Sequence, residues 1–184
     1  MKRDAVLTWG AIVLLGGISA GLGWWLGQRT LVPAEKPAPP GMTVTRIGEV
    51  APDISLPDLR SGQPVAVTGP GRLRLINYWA SWCGPCRKEM PVLDAYARQQ
   101  GGNGVKVMGI ALESREEALA FLREVPVDFT LLVENPGPGD SSVQLGNLRG
   151  ILPYTVLIDA DGRLLKTHYG AFPDPEAVQA WARP

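Results

Sequence analysis

Cys83 and Cys86 are the two cysteines of this chain, and their spacing makes them the strongest candidates for chemistry. Two cysteines three positions apart in the first turn of a helix can close a small disulfide ring. The N-terminus of a helix carries a partial positive charge and free N–H groups, which stabilise a thiolate. Cys83 should then be the more exposed, attacking thiol, and Cys86 should be buried and resolve the mixed disulfide. The spacing predicts thiol–disulfide exchange.

Other uses of a cysteine pair need residues that this sequence does not place beside it. Two cysteines and one distant histidine, His168, cannot close a four-ligand zinc site. A c-type haem would need histidine after the second cysteine, where Arg87 stands. Copper(I) can bind two thiolates, so a Cu(I)-binding chaperone-type module remains an alternative. We expect no metal and no cofactor apart from the redox-active disulfide Cys83–Cys86.

The charge balance bears on the partners of the protein. Its 184 residues include 18 lysines and arginines and 18 aspartates and glutamates, for a formal net charge of zero. A nucleic-acid-binding protein needs a basic surface to neutralise phosphates, so nucleic acid is not an expected partner. A hydrophobic content of 45% is typical of a folded chain and not of a disordered one.

The N-terminal residues are predicted to anchor the chain in a membrane. Residues 5–27 form a run of 23 without a charge, and about 20 apolar residues cross the core of a bilayer. Lys2 and Arg3 precede this run and should keep the N-terminus in the cytoplasm. We expect an uncleaved signal anchor and transmembrane helix over residues 1–29, with a cleaved signal peptide as the alternative.

A Pro-rich linker over residues 30–42 should separate this anchor from one folded domain over residues 43–184. Within the domain, apolar periodicity and turn residues predict strands and helices in alternation. Strands are expected at 54–56, 65–67, 73–79, 105–112, 129–133, 154–159 and 163–169, and helices at 84–100, 114–125, 140–148 and 174–183. Strand–helix–strand units imply parallel pairing, and Asp161-Gly162 implies a final antiparallel hairpin. The order predicts an α/β sandwich.

Three stretches carry a family resemblance: NYWASWCGPCRKEMP at 77–91, ILPYTVLID at 151–159 and VAPDISLPD at 50–58. The sequence resembles the thioredoxin superfamily. Within it, the chain is similar to the TlpA/ResA/CcmG branch of membrane-anchored, outward-facing bacterial thiol-disulfide oxidoreductases. The resemblance covers residues 46–183. It implies a thioredoxin-like three-layer sandwich, in which helices flank a mixed central sheet and an N-terminal β-hairpin is added.

The resemblance also implies roles for individual residues. Cys83 would be the nucleophile and Cys86 the resolving thiol. Pro153 matches a loop proline that is cis in this superfamily. Its place would bring the backbone groups of Leu152 beside Cys83, where a partner peptide can hydrogen-bond as an added strand. The expected substrate-binding residues are Trp82, Gly84, Pro85 and Leu152.

Glu89 matches a glutamate that this branch keeps near its active site. A partly buried carboxylate there would have a raised pKa and could exchange protons with the resolving thiol. Asn77 stands where ordinary thioredoxin has a buried aspartate. Because asparagine cannot titrate, any proton shuttle must lie elsewhere, which favours Glu89. The alternative is that Glu89 is a solvated helix residue without a catalytic role.

A single cysteine pair must take electrons from one partner and give them to another. The resemblance implies a membrane reductant donor of the DsbD/CcdA kind and oxidised envelope proteins as substrates. The dipeptide Gly84-Pro85 resembles that of reducing thioredoxins, so we expect a disulfide reductase. It would be a single-pass protein of the inner (cytoplasmic) membrane with its soluble domain in the periplasm.

The substrate of such a reductase is left open by the sequence. The candidates are cytochrome c thiols, copper-site cysteines of assembly proteins, and oxidised repair enzymes. A thiol oxidant or a peroxidase is the alternative enzyme. A peroxidase would need a Pro-x-x-x-Thr-x-x-Cys setting, which residues 77–81 do not supply.

Overall fold

The computed structural model describes residues 41–183, so the predicted anchor over residues 1–29 lies outside the described residues. Its central sheet has five strands, which are β3 (Arg74–Trp79), β4 (Lys106–Leu112), β5 (Thr130–Glu134), β6 (Tyr154–Ile158) and β7 (Leu164–Tyr169). Their order in the sheet is β5-β4-β3-β6-β7. The strands β3, β4 and β5 run parallel, β6 is antiparallel to β3, and β7 is antiparallel to β6. This mixed sheet confirms the predicted thioredoxin-like α/β fold.

A separate two-stranded hairpin precedes the sheet in the chain. Its strands β1 (Ser55–Pro57) and β2 (Pro64–Ala66) pair antiparallel, with Leu56 opposite Val65. The Leu59 N–H donates to the Leu131 carbonyl at 2.8 Å, which joins the hairpin to β5. The N-terminal β-hairpin expected from the resemblance is therefore present.

Within residues 41–183 three helices connect strands and a fourth follows the last strand, and each helix predicted for the folded domain is present. They are α1 (Gly84–Gln100), α2 (Arg115–Glu124), α3 (Ser141–Gln144) and α4 (Pro175–Trp181). α2 begins with a capping box, in which the Ser114 hydroxyl accepts the Glu117 N–H at 3.3 Å. α3 ends four residues earlier than the sequence suggests, because Gly146 follows with a φ of +103°.

The sheet carries a hydrophobic core on each face. Successive side chains of a strand point to opposite faces, and every residue of β3 is buried. Leu75 and Trp79 face α1, α2 and α4, whereas Ile76 and Tyr78 face the hairpin and α3. The predicted three layers are present, and the layer on the hairpin side holds only a short helix within residues 41–183.

The strand directions bring four loops to one edge of the sheet. The carboxyl ends of β3, β4 and β7 meet the amino end of β6 there. These ends lead into Cys83, Glu113 and Phe172, and Pro153 leads into β6. Residues far apart in sequence are thereby collected beside the cysteine pair.

Membrane spans were expected only near the N-terminus. Among residues 41–183, no helix combines the length and the apolar character that crossing a bilayer requires.

Candidate active site

Cys83 and Cys86 form a disulfide at the start of α1, with their Cα atoms 5.2 Å apart. Cys83 is the N-cap residue of the helix, and its Sγ accepts the N–H of Cys86 at 3.3 Å. Gly84 and Pro85 occupy the first two helical positions, where the missing N–H of proline removes no helical hydrogen bond. The first turn of α1 contains no acidic residue. The helix N-terminus therefore favours a negative charge on the Cys83 sulfur.

The two cysteines differ in exposure in the expected order. Cys83 keeps 5% of its surface exposed and Cys86 keeps none. Trp82, immediately before the pair, is 70% exposed, and Gly84 and Pro85 are also exposed. An incoming disulfide can therefore reach Cys83 but not Cys86. The surface around Cys83 therefore consists of the exposed indole of Trp82 and the small residues Gly84 and Pro85 of the first helical turn.

The carboxyl group of Glu89 is buried on the inner face of α1, with 1% exposure of the residue. Its Oε2 accepts a hydrogen bond from Asn77 Nδ2 at 3.0 Å, and its Oε1 accepts one from the Phe172 N–H at 2.9 Å. Burial raises the pKa of Glu89 to about 7, against the opposing effect of these two hydrogen bonds. Glu89 is therefore buried and is not a solvated helix residue.

Asn77 connects Glu89 to the sheet. It is fully buried on β3, and its Nδ2 donates both to Glu89 and to Thr155 Oγ1, each at 3.0 Å. The Asn77 Oδ1 has no hydrogen-bond partner among the described residues. Because the amide donates a hydrogen bond to the Glu89 carboxyl group, it favours the ionised form of Glu89.

Pro153 lies on the loop that enters β6, and the Leu152–Pro153 peptide bond is cis, as the resemblance implies. Tyr154 is paired with Tyr78 in the antiparallel register of β6 and β3. The residues before Tyr154 therefore run beside the residues that follow β3. The Leu152 side chain packs against the core cluster that contains both cysteines. The register thus places the predicted docking loop at the same end of the sheet as the predicted nucleophile.

Glu113 is a residue of this edge that the sequence analysis missed. It follows β4 directly and is 4% exposed. Its two carboxylate oxygens accept hydrogen bonds from the Ser81 N–H at 2.8 Å and from the Ser81 hydroxyl at 2.6 Å. Because Ser81 lies two residues before Cys83, these hydrogen bonds fix the loop that precedes the nucleophile. The sequence does contain one indication of its place at the site, which is a charged residue directly after an apolar strand.

Phe172 was also missed, because a loop residue after the last strand gives no pattern. Its side chain is 5% exposed and stacks on the ring of His168, with the centroids 4.4 Å apart. The Trp181 ring lies 5.5 Å from the Phe172 ring. This aromatic cluster fixes the loop whose N–H reaches Glu89.

The two basic residues after Cys86, Arg87 and Lys88, have their own surroundings on α1. The Arg87 guanidinium pairs with Glu124 at 2.9 Å and lies 4.7 Å from the centre of the Phe121 ring. Lys88 is exposed on the outer face of α1. The positive environment of Cys83 is therefore supplied chiefly by the helix N-terminus.

Comparisons with known proteins agree with this geometry. The Redoxin family model matches residues 46–180. The thiol:disulfide interchange protein HelX of Rhodobacter capsulatus is 32% identical over 132 residues, which are 69% of this chain and 70% of HelX. The thiol-disulfide oxidoreductase ResA of Bacillus cereus is 27% identical over 171 residues, which are 90% of this chain and 88% of ResA.

A solved structure supports the same assignment. The crystal structure described as thiol:disulfide interchange protein DsbE from Chlorobium tepidum has 32% sequence identity and a TM-score of 0.60. The similarity covers 74% of this chain and 94% of that one. The chain therefore belongs to the Redoxin family and is a thiol-disulfide oxidoreductase of the DsbE, ResA and HelX type, with a thioredoxin-like fold.

Proposed function

We propose that this protein is a membrane-anchored disulfide reductase of envelope proteins. The observation that carries the proposal is the asymmetry of the cysteine pair. Cys83 is slightly exposed at the N-cap of α1, where an N–H reaches its sulfur, whereas Cys86 is enclosed one turn further on. Such a pair can present one thiolate to a partner while keeping the second thiol for resolution.

The reaction begins with the reduced pair. The Cys83 thiolate attacks one sulfur of the partner disulfide, the partner S–S bond breaks, and a Cys83–partner disulfide forms. The first partner thiolate leaves and takes up a proton. Cys86 then loses its proton and attacks the Cys83 sulfur, which releases the second partner thiolate. Two electrons pass to the partner, and the Cys83–Cys86 disulfide is the product on this chain.

Glu89 acts in the resolving step as the group that takes the proton of Cys86. It lies three residues after Cys86 on the same helix, within one turn. Its pKa, raised by burial to about 7, lets it exist in both protonation states near neutral pH. Because its oxygens are held by Asn77 and Phe172, the carboxyl group has a fixed position from which to exchange the proton.

The partner segment binds beside Cys83 as an extended peptide. Leu152 supplies backbone groups for strand-like pairing next to the cis bond at Pro153. Trp82, Gly84 and Pro85, which flank Cys83 in the sequence, supply exposed surface for the partner. An exposed indole favours partners with an apolar residue near the target cysteine.

The location and electron source complete the proposal. The uncharged run at residues 5–27 would anchor the chain in the inner membrane with its folded domain in the periplasm. A membrane reductant donor of the DsbD/CcdA kind would return two electrons to the Cys83–Cys86 disulfide. Oxidised thiols of cytochrome c or copper-site assembly, or of repair enzymes, are the substrates we propose.

Trapping of the mixed disulfide tests these roles. Reduced Cys86→Ser should form a stable covalent adduct with an oxidised peptide through Cys83, and thiol reductant should release it. Cys83→Ser should form no adduct and should lose turnover of insulin disulfides by at least 100-fold, because Cys86 is enclosed. Adduct formation through Cys86, or retained turnover in Cys83→Ser, would overturn the assignment. Tight Cu(I) binding without disulfide turnover would favour the copper-binding alternative.

A further inference from the structure

The loop that leads to the cis bond is held by one buried side chain. Asn147 is 2% exposed, and its carboxamide pairs with both backbone groups of Ile151. The Asn147 Nδ2 donates to the Ile151 carbonyl at 3.2 Å, and the Ile151 N–H donates to Asn147 Oδ1 at 3.2 Å. A side-chain amide has the same donor and acceptor as a peptide group. Asn147 therefore pairs with Ile151 as a neighbouring strand would.

Asn147 is itself fixed in the fold. Its backbone N–H donates to the Ser142 carbonyl at 2.8 Å. The Ser142 hydroxyl donates to Asp140 Oδ1 at 2.6 Å, and Asp140 caps α3 through the Val143 N–H at 3.1 Å. The Asn147 Nδ2 also donates to the Ser142 hydroxyl at 3.4 Å, so the carboxamide is attached to this buried network and has little freedom to rotate away from Ile151.

The residue after Ile151 is the one proposed to receive the partner. Leu152 is partly exposed, and its side chain packs on the cluster around the cysteines. Its backbone N–H and C=O make no hydrogen bond within residues 41–183. The two backbone groups of Ile151 are satisfied internally, whereas those of Leu152 remain available for an added strand.

We propose that Asn147 is a positioning residue for partner docking, which holds Ile151 so that the Leu152 backbone is presented beside Cys83. The inference rests on the proposed function. A peptide that must pair with Leu152 loses affinity when that segment is free to move, because ordering the segment then opposes binding. A small disulfide that contacts only the sulfur is not affected by this loss.

The test compares two disulfides as substrates for the reduced full-length protein. One is a ten-residue peptide whose central cysteine carries 5-thio-2-nitrobenzoate, and the other is 5,5′-dithiobis(2-nitrobenzoate) alone. Both release the same coloured thiol, so their second-order rates are directly comparable. The variants are Asn147→Leu, which keeps the size but removes both hydrogen bonds, and Asn103→Leu, an exposed change in the loop after α1. If Asn147→Leu does not fold, Asn147→Ser replaces it, because its short side chain cannot bridge both groups.

The expected result is a selective loss. Asn147→Leu should slow the peptide reaction about tenfold and leave the small-disulfide reaction within about twofold of wild type, while Asn103→Leu changes neither. Equal slowing of both reactions, or no slowing of the peptide, would overturn the role of Asn147. A wild-type protein that reacts with both disulfides but shows no preference for the peptide would overturn docking at Leu152 and the role of Asn147 with it. A wild-type protein that reacts with neither would overturn the proposed function itself.

Discussion

Asn77 Nδ2 and Glu89 Oε2 lie 3.0 Å apart in the interior of the domain, between the central sheet and α1. The two residues are separated by the whole cysteine motif in the sequence, yet they meet beneath it. The amide stabilises the ionised carboxyl group, whereas burial favours the neutral one. Because burial has the larger effect, the pKa of Glu89 rises to about 7. The reactivity of the cysteine pair should therefore depend on this buried contact.

Replacing Glu89 with glutamine should change how stability varies with pH. The folded pKa of about 7 lies above the ordinary value of 4.5, so the native state binds more protons between these pH values. The free energy of unfolding should then fall as pH rises from 4.5 to 7, by about 3 kcal/mol in total. Glu89→Gln cannot ionise and should remove this fall. Urea denaturation of the oxidised protein at pH 4.5 and pH 8 measures this change in the free energy of unfolding.

The exposed change Glu116→Gln serves as the control and should keep the wild-type fall in stability. A Glu89→Gln protein that loses stability with pH as steeply as wild type would show that Glu89 is not the group responsible.

Removing the Asn77 amide should move the pH dependence of the resolving step. If the ionised Glu89 accepts the Cys86 proton, the rate of resolution rises with pH through the pKa of Glu89. Asn77→Ala removes a hydrogen bond that lowers this pKa, and the midpoint should rise by about one pH unit. Stopped-flow tryptophan fluorescence during closure of the Cys83–Cys86 disulfide measures the midpoint.

Thr155→Val is the matched comparison, because it removes the other partner of Asn77 and leaves the contact with Glu89. It should keep the midpoint near that of wild type. A midpoint in Asn77→Ala that stays fixed or moves down would contradict the role given to the Asn77–Glu89 hydrogen bond.

Truncating Glu113 should destabilise the loop before the nucleophile. Glu113→Ala leaves the Ser81 N–H without its acceptor at a part-buried position, and such a loss costs about 1–3 kcal/mol. Ser81→Ala removes only the hydroxyl contact and should cost less. Urea denaturation of both variants gives the free energies of unfolding. A loss below about 0.5 kcal/mol in Glu113→Ala, the range of ordinary surface changes, would mean that this contact does not hold the loop.

Trp82 should contribute to the binding of the partner protein and not to the stability of the fold. Its side chain is 70% exposed, so Trp82→Ala should change the free energy of unfolding by less than about 0.5 kcal/mol. The loss of its surface should reduce the rate with a protein disulfide about tenfold, since exposed aromatic anchors contribute strongly to recognition. Trp181→Ala is the comparison variant. Because Trp181 packs against Phe172, this substitution should lower the free energy of unfolding instead of the rate. A Trp82→Ala protein with an unchanged rate would remove Trp82 from the docking surface.

The fold could be predicted because its signals are local. Apolar runs mark the buried strands, and the Ser114–Glu117 pair marks a helix start that the structure contains. The cysteine motif at the start of α1 was equally visible. The sequence also predicts the short α3, although the end of this helix depends on the backbone of Gly146.

The surroundings of the site could not be predicted to the same depth, because they depend on long-range contacts. Glu89 was identified, but its bond to the Phe172 N–H spans 83 positions in the chain. Asn147 and Glu113 each pair with one loop residue through two hydrogen bonds, and neither pairing leaves a periodic pattern in the sequence. Such partners follow from strand order and register, which bring distant loops to one edge.

The reduction potential of the Cys83–Cys86 pair tests the central claim most directly. The full-length protein is equilibrated with dithiothreitol buffers, and the fraction of free thiol is measured. A two-electron transition near that of thioredoxin, about −270 mV, is the result expected of a reductase. A value near that of DsbA, about −120 mV, would contradict the account and make the protein an oxidant.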